Sequence, residues 1–506
     1  MKEKLDKFFK ISERGSNIKT EIIAGLTTFF AMAYIVVTNP NQVVGFNFGG
    51  EFDTIWNAVY IASILVAVVG TLLYAFYAKL PFAQACGMGL NSFFFVAFIV
   101  PQFTRETPDF LQGYKEGLFI ILLSGVLFLL LSVTGLRQYI AKALPDCLKK
   151  AIPAGIGLFI AFIGFKNVGI IQANQYTFVQ FFDFNGIWDS VGMNIVQMTD
   201  VEMSRGVIES YTSYFNYDFD RVATAMDAWR LTAPVLVALL GLFLIAVLDH
   251  KKVKGSVIIS IAASTVVYYL ATWQLPNFDL GMIGQTFSDF GKHGFFRAFE
   301  GYTIFIGGAA AVINAIILTI TFCLVDMFDT IGTLYGTASQ ANMLDENGDP
   351  IDIDKSMMCD SVATVSGSLL GTSTCTTFVE SASGVAAGGR TGLASLVTAL
   401  CFAVCLFLSP VAAIVPACAT APALIFVGVL MLKGFAKVDM SDITSAVPAF
   451  LALIMMPLTY SISNGIAIGA IAYTLITLAK GQFKKKDIVV AIIAVLFGLR
   501  FALVSM

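Results

Sequence analysis

The stretch Gly371-Thr-Ser-Thr-Cys-Thr-Thr-Phe-Val-Glu-Ser-Ala-Ser-Gly-Val385 sets a carboxylate, Glu380, inside a chain otherwise built of membrane-length apolar segments. A carboxylate at bilayer depth costs roughly 2.5 to 3.5 kcal/mol even on a lenient insertion scale, so it is expected to face a protein-lined cavity and bind something there. Ser, Thr and Gly dominate the approach to Glu380 and bring little hydrophobic bulk. Gly371 and the β-branched run also disfavour a regular helix. Irregular backbone at that depth survives only where it is buried in protein or lines water. A transport site on an interrupted span is the leading reading.

Composition supports a membrane protein independently. The 506 residues are 57% hydrophobic, include 45 Phe and are only 13% charged, with a mean hydropathy of +0.80. A soluble chain would carry about twice that charge. The first 21 residues hold Lys2, Lys4, Lys7, Lys10, Arg14 and Lys19 and precede a full-length apolar segment, which does not read as a cleavable leader. A net charge of -3 with no basic face argues against a nucleic-acid partner. Cys86, Cys323, Cys375, Cys401, Cys405 and Cys418 lie in apolar segments without CxxC spacing, so neither disulfides nor zinc are indicated. The only histidines, His250 and His293, fall in loops, which removes an imidazole proton relay and leaves carboxylates to carry any coupled proton.

Fourteen apolar stretches of near-membrane length follow one another: 22-38, 57-77, 82-100, 117-134, 151-165, 231-249, 256-273, 312-336, 359-371, 372-389, 392-409, 415-432, 444-459 and 463-479. The basic N-terminus, Arg137 to Lys150, His250 to Lys254, Lys433 with Lys437, and Lys480 to Lys486 fall on one side of them. The positive-inside rule makes that side cytoplasmic, N-terminus included, and tolerates the acidic run Asp345 to Asp354 there. On the other side lies the 65-residue stretch 166-230, with eight acidic and four basic residues, read as an external loop or small cap. The apolar segment 487-506 is either a further span or an interfacial helix.

The chain also resembles itself. Val69-Gly-Thr-Leu-Leu73 matches Ser366-Gly-Ser-Leu-Leu370 at an offset of 297, which also aligns Gln84-Ala-Cys-Gly87 with Ser381-Ala-Ser-Gly384. An odd number of spans per half puts the two halves in opposite orientations, the inverted-repeat plan of secondary transporters with a site at the midplane between broken helices. The third stretch, with Pro81, Gly87 and Gly89, and the tenth, with Gly371, are the expected broken pair, each with a short extended piece before a half-helix. Their N-termini would aim unpaired N–H donors at one point. In the eighth stretch Asp326 and Asp329, three apart, share one helical face. Asn91 follows the break in the third. Except for Arg390, no Lys or Arg is near Glu380 or Asp329 in sequence, so a neutral ligand with N–H donors, or a cation, fits better than an anion.

At these residues the sequence resembles the nucleobase permeases, in particular the AzgA-like purine branch of the nucleobase-cation symporter (xanthine/uracil permease) family. The resemblance is carried by Ala24-Gly-Leu-Thr-Thr-Phe-Phe-Ala-Met-Ala-Tyr34, Cys86-Gly-Met-Gly-Leu-Asn-Ser-Phe-Phe94, Asp326-Met-Phe-Asp-Thr-Ile-Gly-Thr-Leu334, Glu380-Ser-Ala-Ser-Gly-Val-Ala-Ala-Gly-Gly-Arg-Thr-Gly392 and Ala446-Val-Pro-Ala-Phe-Leu451 followed by Met455-Met-Pro-Leu-Thr-Tyr460. It implies an all-α polytopic membrane protein with the uracil-permease-like fold, fourteen segments as a 7+7 inverted repeat, with short strands in spans 3 and 10. The core domain would comprise 22-134 and 274-409, the gate domain 135-273 and 410-479, flanked by 1-21 and 480-506.

The same resemblance implies that Glu380 hydrogen-bonds base N–H groups, that Asp329 binds the base or carries the coupled proton, and that Asn91 sets substrate choice. Backbone around Met88 and Val379 would contact the ring, and Phe29 or Phe30 would cover it. Asp326 joins Asp329 and Glu380 as a proton-coupling residue. Asp442 is read as a helix cap, with a gate contact as the alternative. Where the uracil branch has a histidine one turn after the eighth-span acid, this chain has Thr333, so that site cannot be copied. The expected activity is import of hypoxanthine and guanine, or adenine, by proton symport with an elevator-like mechanism, without enzymatic chemistry or a bound cofactor, in a membrane-embedded homodimer. The alternative is an anion exchanger of the same fold.

Overall fold

The computed structural model describes residues 2–47, 49–134, 145–174, 176–215, 218–253, 255–276, 278–340, 343, 350–378 and 380–503. Val379, one of the two expected ring contacts, lies outside them, as do residues 345–349 of the acidic run and residues 137–144 of one basic loop. The chain is mostly helical and divides into two compact units, Met1–Ile160 with Asp279–Ala412 and Gly428–Met506, and Ala161–Phe278 with Ala413–Val427.

The first unit opens with α1 (Lys2–Phe9), α2 (Ile18–Met32), α3 (Ile35–Val43) and α4 (Glu51–Leu73). Asn17 starts α2 by accepting the Thr20 N–H, and the regular helix is interrupted at Ala33-Tyr34, both still right-handed helical in backbone, before α3. A π turn, Tyr74–Ala78, ends α4 at Lys79, and beyond Pro81 the chain is extended as β1 (Gln84–Cys86) before α5 (Met88–Phe94). Proline supplies no N–H and biases its neighbour toward extended backbone, which fits the change from helix to strand. Then come α6 (Phe110–Val133) and α7 (Asp146–Asn167), whose last turns belong to the second unit.

That second unit holds the stretch 166–230, which is a folded element and not a loose connection. Strands β2 (Ile171–Asn174) and β3 (Phe178–Phe181) pair antiparallel, followed by α8 (Phe184–Asp189), α9 (Ile195–Asp200) and α10 (Arg205–Tyr214). Ile187, Met198, Val207 and Tyr211 are buried together with Val235 and Ala238 of the next helix, α11 (Ala225–His250). A reciprocal cap between Thr224 and Asp227 starts α11, satisfying donors that a helix end leaves orphaned. Helix α12 (Ser256–Thr272) completes this part.

Back in the first unit, α13 (Gly281–Asp289) and a 3-10 segment, Arg297–Phe305, pack on α4 and α6 respectively. They precede α14 (Ala309–Gln340), α15 (Ile353–Leu370), β4 (Cys375–Thr377), α16 (Ser381–Ala386), α17 (Gly392–Cys405) and α18 (Ser409–Ala413). After α19 (Ala417–Leu432), which begins in the second unit, come α20 (Ile443–Leu458), α21 (Ile462–Ala479) and α22 (Ile488–Leu503). Asp442 caps α20 by accepting the Thr444 N–H at 3.1 Å. The apolar tail is thus helical.

Each of the fourteen apolar stretches coincides with a helix or with a strand leading into one. Seven spans among the described residues are long and apolar enough to cross a membrane, and five further apolar helices are shorter. Helix α15 is too polar to count, with Asp354, Lys355 and Asp360 among its residues, and it buries Asp360, Thr364 and Ser368 within the fold. Strands β1 and β4 pair antiparallel, Gln84 with Thr377, Ala85 with Thr376 and Cys86 with Cys375. This pairing corrects one internal alignment: in strand order Gln84 corresponds to Cys375, whereas the offset of 297 set it against Ser381, which starts a helix. Small-residue matches had aligned a strand with a helix.

Candidate functional site

The β1/β4 pair organises the site because side chains alternate across a strand and directly paired residues share a face. Ala85 and Thr376 point one way; Gln84, Thr377, Cys86 and Cys375 point the other. Gly371 delivers the chain into β4 at φ +102, and a side chain there would come within 2.6 Å of the Gly294 backbone, so only glycine fits.

On the Thr376 side, the Thr376 hydroxyl meets that of Thr330 on α14 at 3.0 Å. Asp329, next along α14, is buried beside Gly87: a methyl on Gly87 would sit 3.6 Å from its Oδ2. Its Oδ1 has no hydrogen-bond partner among the described residues. Glu380, at the N-cap position of α16, is partly buried and accepts the Tyr34 hydroxyl on Oε1 at 2.6 Å. The two carboxylates are close enough to act on each other electrostatically. Ser381 ties the second strand–helix unit to the first, its Oγ accepting the Ala83 N–H at 3.0 Å. Helix α16 lies tight on α2, since a methyl on Gly384 would fall 2.0 Å from Thr28 Oγ1.

Asn91 is fully buried on α5; its Oδ1 accepts the Ser373 hydroxyl and its Nδ2 donates to Gln42 Oε1 at 3.4 Å. Met88 opens α5 immediately after Gly87, whose N–H donates to Thr374 O at 3.0 Å. The rings of Phe29 and Phe30 stay in contact at 5.4 Å; Phe29 also packs edge-on against Phe402 at 5.3 Å, while Phe30 is 48% exposed. Thr333 bonds the carbonyls of Asp329 and Thr330 in its own helix.

On the Thr377 side stands a second acidic group. Asp360 of α15 is fully buried and accepts the Thr377 N–H on Oδ2 at 3.2 Å. Its Oδ1 accepts the Thr377 hydroxyl at 3.0 Å and the Gln84 side-chain amide. Asp326 is also fully buried, accepts the Thr364 hydroxyl on Oδ2 at 2.8 Å, and has no partner at Oδ1 among the described residues. Asp326 and Asp329 are therefore interior groups and not exposed helix-end charges. No ion pair among the described residues includes any of these four acids. Arg390 instead turns its guanidinium to the carbonyls of Val385 and Gly389, both at 2.7 Å, at the far end of α16.

Sequence reasoning passed over Tyr34 and Asp360. Tyr34 closes the motif that begins at Ala24, and an aromatic hydroxyl in an apolar span signals a buried partner. Asp360 sits in the ninth apolar stretch, where the cost argument used for Glu380 applies equally.

Many apolar helices, with an antiparallel strand pair and buried carboxylates beside it, are the features of a polytopic membrane protein. A model of the permease family matches residues 19–215 and 206–468. The adenine permease AdeQ of Escherichia coli (strain K12) is 33% identical over 508 residues, covering 99% of this chain and 97% of AdeQ. The guanine/hypoxanthine permease PbuO of Bacillus subtilis (strain 168) is 36% identical over 500 residues, covering 97% and 98%. The chain belongs to the xanthine/uracil permease family, and its business is transport, not catalysis. Its fold is that of the transmembrane domain of the cyanobacterial bicarbonate transporter BicA, with a TM-score of 0.56 at 15% identity over 88% of this chain and 96% of that one.

Proposed function

We propose that the chain is a secondary active transporter importing purine nucleobases, hypoxanthine and guanine or adenine, by proton symport with elevator-like alternating access. The observation that carries this reading is Glu380 at the head of α16, bonded to the Tyr34 hydroxyl and within electrostatic reach of Asp329, whose Oδ1 has no hydrogen-bond partner among the described residues. A carboxylate accepts N–H groups from a purine edge, and such charge-assisted bonds are worth about 1.5–3 kcal/mol each. The names of AdeQ and PbuO support purines as the class. Asn91, Met88, Val379 and one of Phe29 and Phe30 complete the proposed pocket; Asp329, Glu380 and Asp326 are the proposed proton carriers.

In this reading the protein sits in the cell membrane with its N-terminus cytoplasmic, has fourteen segments in a 7+7 inverted repeat with spans 3 and 10 broken, and works as a homodimer. The core, 22-134 with 274-409, moves the site against the gate, 135-273 with 410-479. One proton crossing ~100 mV supplies about 2.3 kcal/mol, enough to concentrate a neutral base about 40-fold.

An anion exchanger on the same fold is the competing reading, since BicA is a bicarbonate transporter. Two facing carboxylates, with Arg390 committed to a helix end, argue against it. Uptake of labelled hypoxanthine, guanine, adenine, uracil and sulfate, with and without a protonophore, separates the two. Saturable, protonophore-sensitive purine entry is expected; sulfate entry without purine entry would overturn the reading.

A further inference from the structure

The substrate-side acids, Glu380 and Asp329, and the acids Asp326 and Asp360 differ in what surrounds them. Asp360 is enclosed by donors: the Thr377 N–H and hydroxyl, the Gln84 amide, and the Tyr74 hydroxyl at 3.4 Å from Oδ1. Asp326 has one donor, Thr364, and one buried oxygen with no hydrogen-bond partner among the described residues. The titratable groups facing Asp326 are Asp360 of α15, Cys375 of β4, and Asp329 and Cys323 of its own helix. None is a cation. Two neighbouring buried carboxylates with no positive partner are too costly to stay doubly charged, and sharing a proton is the standard remedy.

Thr364 is what makes this proton consequential. Its hydroxyl has two acceptors in reach, Asp326 Oδ2 at 2.8 Å and the Cys375 carbonyl at 3.1 Å, and it accepts the Cys375 N–H at 3.1 Å. A hydroxyl carries one hydrogen, so it serves one acceptor at a time. With Asp326 ionised, Thr364 donates to Asp326 and the Cys375 carbonyl goes without. When Asp326 takes a proton, the new O–H donates to Thr364 Oγ1, and the Thr364 hydrogen is released to the Cys375 carbonyl. One proton gained at Asp326 thus adds one hydrogen bond to β4, the strand that leads directly to Glu380.

We propose that Asp326 is the seat of the coupled proton and that Thr364 is the hydroxyl switch reporting its protonation to β4. This inference rests on the purine-symport reading and deepens it by separating the proton site from the substrate site across the strand pair. Thr330 sits between the two sets, its hydroxyl meeting both Thr376 and Asp360.

The test uses the full-length protein in sealed vesicles, with three readouts for a purine: equilibrium binding, exchange across the membrane without a gradient, and accumulation driven by an imposed pH gradient. Asp326→Asn, which mimics the protonated acid, is expected to keep binding and exchange while accumulation falls from about 40-fold toward unity. Thr364→Ser, which keeps the hydroxyl, should accumulate like the wild type, and Thr364→Val should behave like Asp326→Asn. Should Asp326→Asn fail to insert, the Ser and Val variants decide alone, because only a hydroxyl switch distinguishes them in accumulation at unchanged binding. Normal pH-driven accumulation by Asp326→Asn, loss of its binding alongside accumulation, or accumulation driven by sodium and not by protons would each overturn the proposal. A wild type that neither binds nor exchanges purines would instead sink the functional reading beneath it.

Discussion

The two strand–helix units that meet at the crossing, β1–α5 and β4–α16, share a backbone plan and differ in chemistry. In β1–α5 the polar residue is Asn91, a neutral amide fully buried and already bonded to Ser373 and Gln42. In β4–α16 it is Glu380, a partly buried carboxylate fixed at Oε1 by Tyr34. The first unit's amide is thus taken up in bonds within the fold, whereas in the proposed reading the second unit's carboxylate is the group that meets the base. Matching scaffolds need not carry matching side-chain chemistry.

Replacing that acid should break the asymmetry most severely. Glu380→Gln retains the shape and a hydrogen-bonding group but loses the charge, which is expected to weaken purine binding by about 1.5–3 kcal/mol, roughly ten- to a hundredfold. Purine concentration dependence of uptake, normalised to protein in the membrane, measures it. Asn91→Ala attacks the other unit. It strands the Ser373 hydroxyl and the Gln42 carbonyl, so the expected loss is about 1–3 kcal/mol of stability, seen as a lower melting temperature in detergent, with an altered ranking of bases and not abolished uptake. Sharing the Glu380 phenotype would show that the two units act alike.

A smaller change sharpens the comparison. Tyr34→Phe removes the one hydroxyl that orients Glu380, and a rise of a few-fold in the half-saturating purine concentration, about 0.5–1.5 kcal/mol, is expected with little change in maximal rate. Smallest of all, Tyr211→Phe in the second unit removes a 2.8 Å bond to the Ile187 carbonyl. It should cost about 1 kcal/mol of local stability, read by hydrogen exchange, and leave uptake untouched.

Much of this was legible in the chain because bilayer thickness dictates segment length, and the fourteen apolar stretches all became helices or strand–helix pairs. Pro81 and Gly371 announced the extended pieces by their backbone chemistry. What the sequence withheld was tertiary. Tyr34 meets Glu380 across 346 positions, and no local period encodes that. Asp360 takes its meaning from Thr377 and Gln84, which only the strand register brings to it. The match of Gln84-Ala-Cys-Gly87 with Ser381-Ala-Ser-Gly384 pairs a strand with a helix because Gly, Ser and Ala recur wherever membrane helices pack closely, irrespective of equivalence. The elements between Gly281 and Phe305 went unread because they lack a membrane-length apolar run and owe their place to α4 and α6. Likewise 166–230, read as a loop or cap, carries its own buried cluster around Tyr211.

The most direct test of the account is equilibrium binding of labelled hypoxanthine, guanine and adenine to the purified, detergent-solubilised protein, wild type against Glu380→Gln, with folding checked by the melting temperature of each. The account predicts saturable binding of at least one purine by the wild type and binding roughly ten- to a hundredfold weaker in an equally folded Glu380→Gln. Equal binding by both would contradict the assignment of Glu380 as the group that recognises the base.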